Sequence, residues 1–133
     1  MVLNGDLGEL ERLAAATARF CRENSLGAEV EFDLNLALEE LFANSVKHGG
    51  CQGMNGAVEI HLHRTGDGVR VEYADRGAPF DPGLVPPPDL TVPLQDRVPG
   101  GLGLHLVRQL MQTFEYRRAN GWNRITMRRQ VAL

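Results

Sequence analysis

A chain of 133 residues is the size of one domain and long enough to bury a core without disulfide staples. Its 43% apolar and 23% charged residues match a soluble globular protein and exclude disordered and membrane-embedded classes. A net charge of −3 argues against nucleic acid as the main partner, and two cysteines, Cys21 and Cys51, are too few for a disulfide framework. The opening MVLNGDLGEL lacks the apolar centre of a signal peptide, and no run is long enough to span a bilayer. The expectation is a cytoplasmic protein with no membrane partner.

The first predicted element is a helix with Leu7, Leu10, Ala14, Thr17, Phe20 and Cys21 on its stripe, capped by Asp6 and ended by Asn24 with Gly27. A second helix starts between Glu29 and Asp33, where acids suit the dipole, and stops at Gly49-Gly50. Its core face carries Leu34, Leu38, Leu41, Phe42 and Val46. Glu40, Asn44 and His48 fall four apart on a second face, and Lys47, three after Asn44, can reach the same side. An asparagine inside a good helix needs partners for its amide if it is buried, either a bound metal or polar ligand or a neighbouring backbone.

CQGMNG reads as a turn, AVEIHLHRT and VRVEYAD as strands, and Thr65-Gly66-Asp67-Gly68 as the hairpin between them. From Arg76 to Gly100 the chain holds most of its prolines and little periodicity. That is too long for an ordinary connection and predicts a lid or binding loop, with a short helix near Leu90–Asp96. A helix follows from Gly101, with Leu102, Leu106, Leu110 and Met111 on its buried side and Val107 close by. TFEYRRA and RITMRRQVAL are then strands around Asn120-Gly121. The architecture expected is α+β, a two-layer α/β sandwich in which helices cover one face of a mixed, mostly antiparallel sheet, all within one domain at 1–133.

Asp75 ends a strand, so its carboxylate sits at the mouth of the sheet and can accept a hydrogen bond from an exocyclic amine such as that of adenine. Gly77 would let a flat ring approach the backbone. The plainer reading of both residues is a turn. Gly100-Gly101-Leu102-Gly103 opens a helix whose bare N–H groups attract phosphate, though the same glycines also suit a flexible joint. No strand precedes them and no Lys-Ser/Thr follows, so neither the dinucleotide fingerprint nor a P-loop is present. Arg97, just upstream, is placed either to grip a terminal phosphate or to be a solvated charge. Zinc is disfavoured because the cysteines lack paired spacing, although His61 and His63 share a strand face. Ser45 has no clear base with an orienting partner, which disfavours acyl chemistry. Arg117, Arg118, Arg124, Arg128 and Arg129 make a basic hairpin, either a solvated sheet edge or a docking surface for an acidic protein.

Glu40-x-x-x-Asn44-x-x-Lys47, Asp75-x-Gly77 and Gly101-x-Gly103 across a long loop together resemble the nucleotide site of the GHKL, or histidine-kinase-like, ATPases. ELFANSVKHG, ADRGAPFDP and GGLGLHLVRQLM are most similar to its small anti-sigma-factor serine/threonine kinases. The resemblance spans Leu7 to Leu133. It implies ATP between the helix layer and a lid at 76–100, with Mg²⁺ held by Asn44 and Glu40 as the catalytic carboxylate. By the same resemblance Asp75 reads the adenine amine with Gly77 beside the ring, and Gly101, Leu102 and Gly103 wrap the phosphates. Lys47 or His48 and Arg97 contact phosphate, and Thr126 or Asn123 serves an adenine-bound water. Two departures stand out: three residues separate Arg97 from the G-x-G element, and little chain precedes the first helix to form the N-terminal edge strand of relatives. No phosphoacceptor histidine segment or sensor module is apparent. The implied activity is transfer of the ATP γ-phosphoryl group to a Ser or Thr of an antagonist protein, with a sigma factor as second partner and a homodimer allowed. The alternative is a non-catalytic nucleotide-gated protein-binding module, or a sensor-kinase-like ATPase domain.

Overall fold

The computed structural model describes residues 1–82, 89, 91, 93 and 101–131, and only the backbone of 101 and 102. Arg97, the helix expected near Leu90–Asp96 and most of the 76–100 loop lie outside the described residues.

Asp6 caps as the sequence predicts, its carboxylate accepting from Gly8 N at 2.9 Å. What it caps is one 3₁₀ turn, Leu7–Glu9, leading into helix α1, Leu10–Glu23. Asn24 closes α1 by donating its amide to Phe20 O at 2.9 Å, and Ser25 (φ 54°) takes the left-handed position that follows. Helix α2, Ala28–Lys47, has Glu29 and Glu31 in its first turn. Asp33 has a different use, an ion pair with Arg129 at 2.8 Å in which both side chains are only 14% exposed. This pair ties α2 to the last strand. At the other end of α2, Gly49 N bonds Asn44 O and Cys51 N bonds Ser45 O, with Gly50 at φ +82° making the turn.

The strands are β1 Val2–Leu3, β2 Val58–Thr65, β3 Gly68–Asp75, β4 Thr113–Ala119 and β5 Trp122–Gln130. They line up as β1-β2-β3-β5-β4, and every neighbouring pair is antiparallel. The N-terminal edge strand is therefore present but two residues long, paired to Val58 and Glu59. Alternation sorts the faces: Val58, Ile60, Val71, Tyr73, Ile125 and Met127 are buried under the helices, whereas Glu59, Glu72, Glu115 and Arg117 border a polar depression on the other face.

Helix α3, Gly101–Leu110, starts where the glycines predicted. Its buried face is Leu104, Val107 and Met111, while Leu106 and Leu110 are half-buried. Met111 and Val107 are buried as expected, Leu104 joins them in place of Leu106 and Leu110, and the side chain of Leu102 lies outside the described residues. Leucines at 104, 106 and 110 fall on different sides of the helix, so hydrophobicity alone does not select a side; packing against α2 does. Among the described residues no helix is long and apolar enough to cross a membrane.

Candidate functional site

The site grows from the end of β3. Asp75 is 9% exposed and lies opposite Asn123 of β5. Its Oδ1 accepts from Gly77 N at 2.9 Å and Asn123 Nδ2 at 2.8 Å, and its Oδ2 from Ser45 Oγ at 2.7 Å. Ser45 Oγ also stands 2.6 Å from the Tyr73 hydroxyl and 3.1 Å from Leu41 O. A serine has one proton to give. Spent on Asp75, it leaves Tyr73 as donor to Ser45, so the order is Tyr73 O–H to Ser45 O–H to Asp75. Tyr73 is fully buried, and burial pushes its phenol well above the ordinary tyrosine range, which keeps it a donor. A carboxylate has about four acceptor directions. Three are used, and the remaining one is on Oδ2.

The pocket that Asp75 borders is walled by Leu41 of α2, Leu104 of α3, Ile125 of β5 and Phe80 beyond β3, with Asn44, Ser45 and His48 along its α2 side. Apolar walls with a few converging polar groups suit a flat heterocycle. Asn123 is fixed on four sides: besides Asp75 it donates to Ala78 O at 2.8 Å and accepts from Tyr116 OH at 2.7 Å and Phe80 N at 3.3 Å. Asn44 carries a buried amide nitrogen with no protein partner. The two ends of an amide exchange by a half-turn, so this group offers either an oxygen to a hard cation or an N–H to phosphate.

Gly77 has a packing role that its sequence context did not announce. A Cβ there would lie 2.3 Å from Gly49 O, and Ala78 N donates to that same carbonyl at 3.0 Å. The missing side chain lets the root of the long loop press on the end of α2. Arg118 donates to Gly77 O at 2.8 Å and fixes the loop root from the sheet side. Cys51, buried nearby, has its thiol pushed up to about 11 by burial and by the Asp75 charge, which leaves it an inert packing group.

Glu40 and Gly103 meet. A Cβ on Gly103 would stand 2.1 Å from Glu40 Oε2, so the carboxylate rests on the bare first turn of α3. The backbone of Gly101 and Leu102 belongs to the same helix start. Two expected residues fall elsewhere. Lys47 is exposed and borders a separate depression with Gly5, Asp6 and Leu7, because the pocket face of α2 runs through 41, 44, 45 and 48. Thr126 is out of phase with Asn123 and Ile125 and lies on the open side of the sheet, facing away from the pocket. Asn123 is the residue of that strand beside Asp75. Arg97 is outside the described residues. Sequence reasoning missed Tyr73 and Ser45 as parts of the site, and it placed Gly103 at the phosphates without foreseeing its contact with Glu40. The signal available was polar groups in phase with buried ones, namely Tyr73 with Val71 and Asn123 with Ile125.

A family model for the histidine kinase-like ATPase domain matches residues 3–129. The serine/threonine-protein kinase BtrW of Bordetella bronchiseptica is 37% identical over 100 residues, 75% of this chain and 70% of that protein. The serine-protein kinase RsbW of Halalkalibacterium halodurans is 31% identical over 93 residues, 67% of this chain and 56% of that protein, so the match spans little more than half of it. In fold, the chain is similar to a crystal structure of the RsbU and RsbW domains of a Mycobacterium tuberculosis protein, with a TM-score of 0.71 and 17% identity over 98% of this chain and 31% of that one. A blue-light-activated histidine kinase domain from Erythrobacter litoralis superposes with a TM-score of 0.53 and 19% identity, covering 93% of this chain and 60% of that one. The chain belongs to the histidine kinase-like ATPase family, on the branch of these serine/threonine protein kinases. The family's nucleotide is ATP, and the pocket at Asp75 has the acceptor and the apolar walls that an adenine requires.

Proposed function

We propose that this chain transfers the γ-phosphoryl group of ATP to a serine or threonine hydroxyl of a separate regulatory protein, an antagonist of the anti-sigma type, and that it also holds a sigma factor. The observation that carries this reading is one carboxylate, Asp75, with three donors fixed on it and one acceptor direction left beside an apolar slot, while Glu40 rests on the first turn of the neighbouring helix. The adenine amine donates to Asp75 Oδ2, and its ring lies between Leu41 and Leu104. The phosphates meet the open N–H groups of α3. In the transfer step the acceptor oxygen bonds the γ-phosphorus as the bond to the β-phosphate oxygen breaks. The hydroxyl proton passes to Glu40, and ADP leaves.

Mg²⁺ suits this donor set. It takes one or two protein oxygens and completes its shell with water and phosphate, and Asn44 has an unpaired buried amide to offer. When bound it neutralises phosphate charge. Arg97 is assigned the terminal phosphate and 76–100 the lid over one domain at 1–133, both on family resemblance; of Lys47 and His48, His48 is the one that borders the pocket. The homodimer is kept as part of this reading.

The test is transfer of labelled γ-phosphate from ATP to a co-encoded antagonist, followed by mapping of the labelled residue. Label on a serine or threonine supports the reading; no transfer with intact ATP binding leaves a nucleotide-gated binding module. Asn44→Ala is expected to weaken ATP binding about tenfold in magnesium and to change it by less than about twofold in EDTA, as isothermal titration would read. Equal losses in both buffers would remove the metal from Asn44.

A further inference from the structure

The basic hairpin has an organisation that the nucleotide site does not use. Arg76, Trp122, Arg124 and Arg117 share the sheet face turned away from the helices. The Arg76 guanidinium lies 4.7 Å over the Trp122 ring, and that of Arg124 lies 5.8 Å from it. Arg117 stands directly opposite Arg124 in the β4–β5 ladder, where like charges are unfavourable. Among the described residues none of these three arginines forms an ion pair. Arg128 and Arg129 of the same hairpin do, with Asp67 and Asp33. The acids of this face are otherwise placed: Glu72 faces His63 and Arg70 at 3.5 and 3.3 Å, and Glu59 and Glu115 border the depression without pairing with the arginines.

We infer that this patch is the docking surface for an acidic segment of a protein partner, its carboxylates gripped by Arg117, Arg124 and Arg76 around Trp122. Stacking holds a guanidinium plane still and leaves its N–H edges free for bidentate capture of carboxylates. The cationic cluster is set on a chain whose net charge is −3, so an acidic partner is steered to this face and not to the molecule at large. The cross-strand repulsion of Arg117 and Arg124 is relieved when an anion lies between them. Arg118, adjacent in β4, holds Gly77 O, so an occupant here lies one residue from the root of the nucleotide loop. The inference deepens the proposed function by giving its protein partner a surface, and it is tested without nucleotide so that the two stand or fall separately.

Trp122 is the chain's one tryptophan and reports directly on the patch. The full chain is titrated with a short Glu/Asp-rich peptide, a neutral peptide of equal length and a single-stranded oligonucleotide of equal charge. The expected result is a saturable change in Trp122 fluorescence with the acidic peptide, weakened by added salt and weakened about tenfold in an Arg117→Ala/Arg124→Ala variant that still melts and binds ATP like the parent. Arg124→Lys, which keeps charge but loses the planar fork, falls between the two. No saturable change, equal binding of the neutral peptide, undiminished binding by the double variant, or tighter binding of the oligonucleotide would each overturn the inference.

Discussion

Asp75→Asn is expected to lower ATP affinity about a hundredfold, or ~2.7 kcal/mol, and to turn the purine preference toward guanine. Three donors are fixed on the wild-type carboxylate, from Gly77, Asn123 and Ser45. The new amide keeps its oxygen toward Gly77 and Asn123, which need an acceptor, and so turns its NH₂ toward Ser45 and the pocket. Ser45 has a way to adjust: it gives its proton to Leu41 O, 3.1 Å away, and accepts from both the introduced amide and Tyr73. That escape keeps the stability cost to about 1–3 kcal/mol. The pocket has none, because a donor now meets the adenine amine, whereas the guanine carbonyl oxygen is accepted. Titration with ATP and GTP, with a thermal melt alongside, reads both effects. Parental ATP affinity with an unchanged ATP/GTP ratio would show that the purine is not read at this residue.

Glu40→Gln is expected to separate binding from chemistry. The glutamine is isosteric, so it keeps its seat against Gly103 and the packing of α2 on α3. What it loses is the capacity to take the proton of an attacking hydroxyl. ATP affinity should stay within about twofold of the parent while phosphoryl transfer falls by about 10²–10⁴. Full transfer by the variant would remove Glu40 from the chemistry. Loss of both binding and transfer would assign it to holding the nucleotide.

The layout was legible because its signals are local. The alternation of β2 and β3, the hairpin at Gly66, the apolar stripe of α2 and the glycine start of α3 each occupy a few consecutive residues. Helix caps were legible for the same reason, as at Asp6. Rotational phase was less so: the leucine-rich α3 has no single apolar face, and packing on α2 chose Leu104 over Leu106 and Leu110. Lys47 was drawn to the wrong side because spacing from Asn44 alone does not say how wide the pocket face is. Contacts between distant elements were the least visible. Ser45, Tyr73 and Asn123 come from three elements, and the hydrogen bonds that join them through Asp75 exist only once register and packing are set. Gly77 and Gly103 drew notice as glycines, but what fills the space beside each, Gly49 O and the Glu40 carboxylate, follows from tertiary structure.

The hydroxyl relay beneath Asp75 has a bearing on how such a chain can drift. Phenylalanine at 73 strands one lone pair of Ser45, and alanine at 45 strands both the phenol and a carboxylate oxygen. Substitutions at 45, 73 and 123 therefore do not accumulate independently. A combinatorial library spanning the three codons should yield survivors in matched sets, with tyrosine at 73 retained where serine is retained at 45.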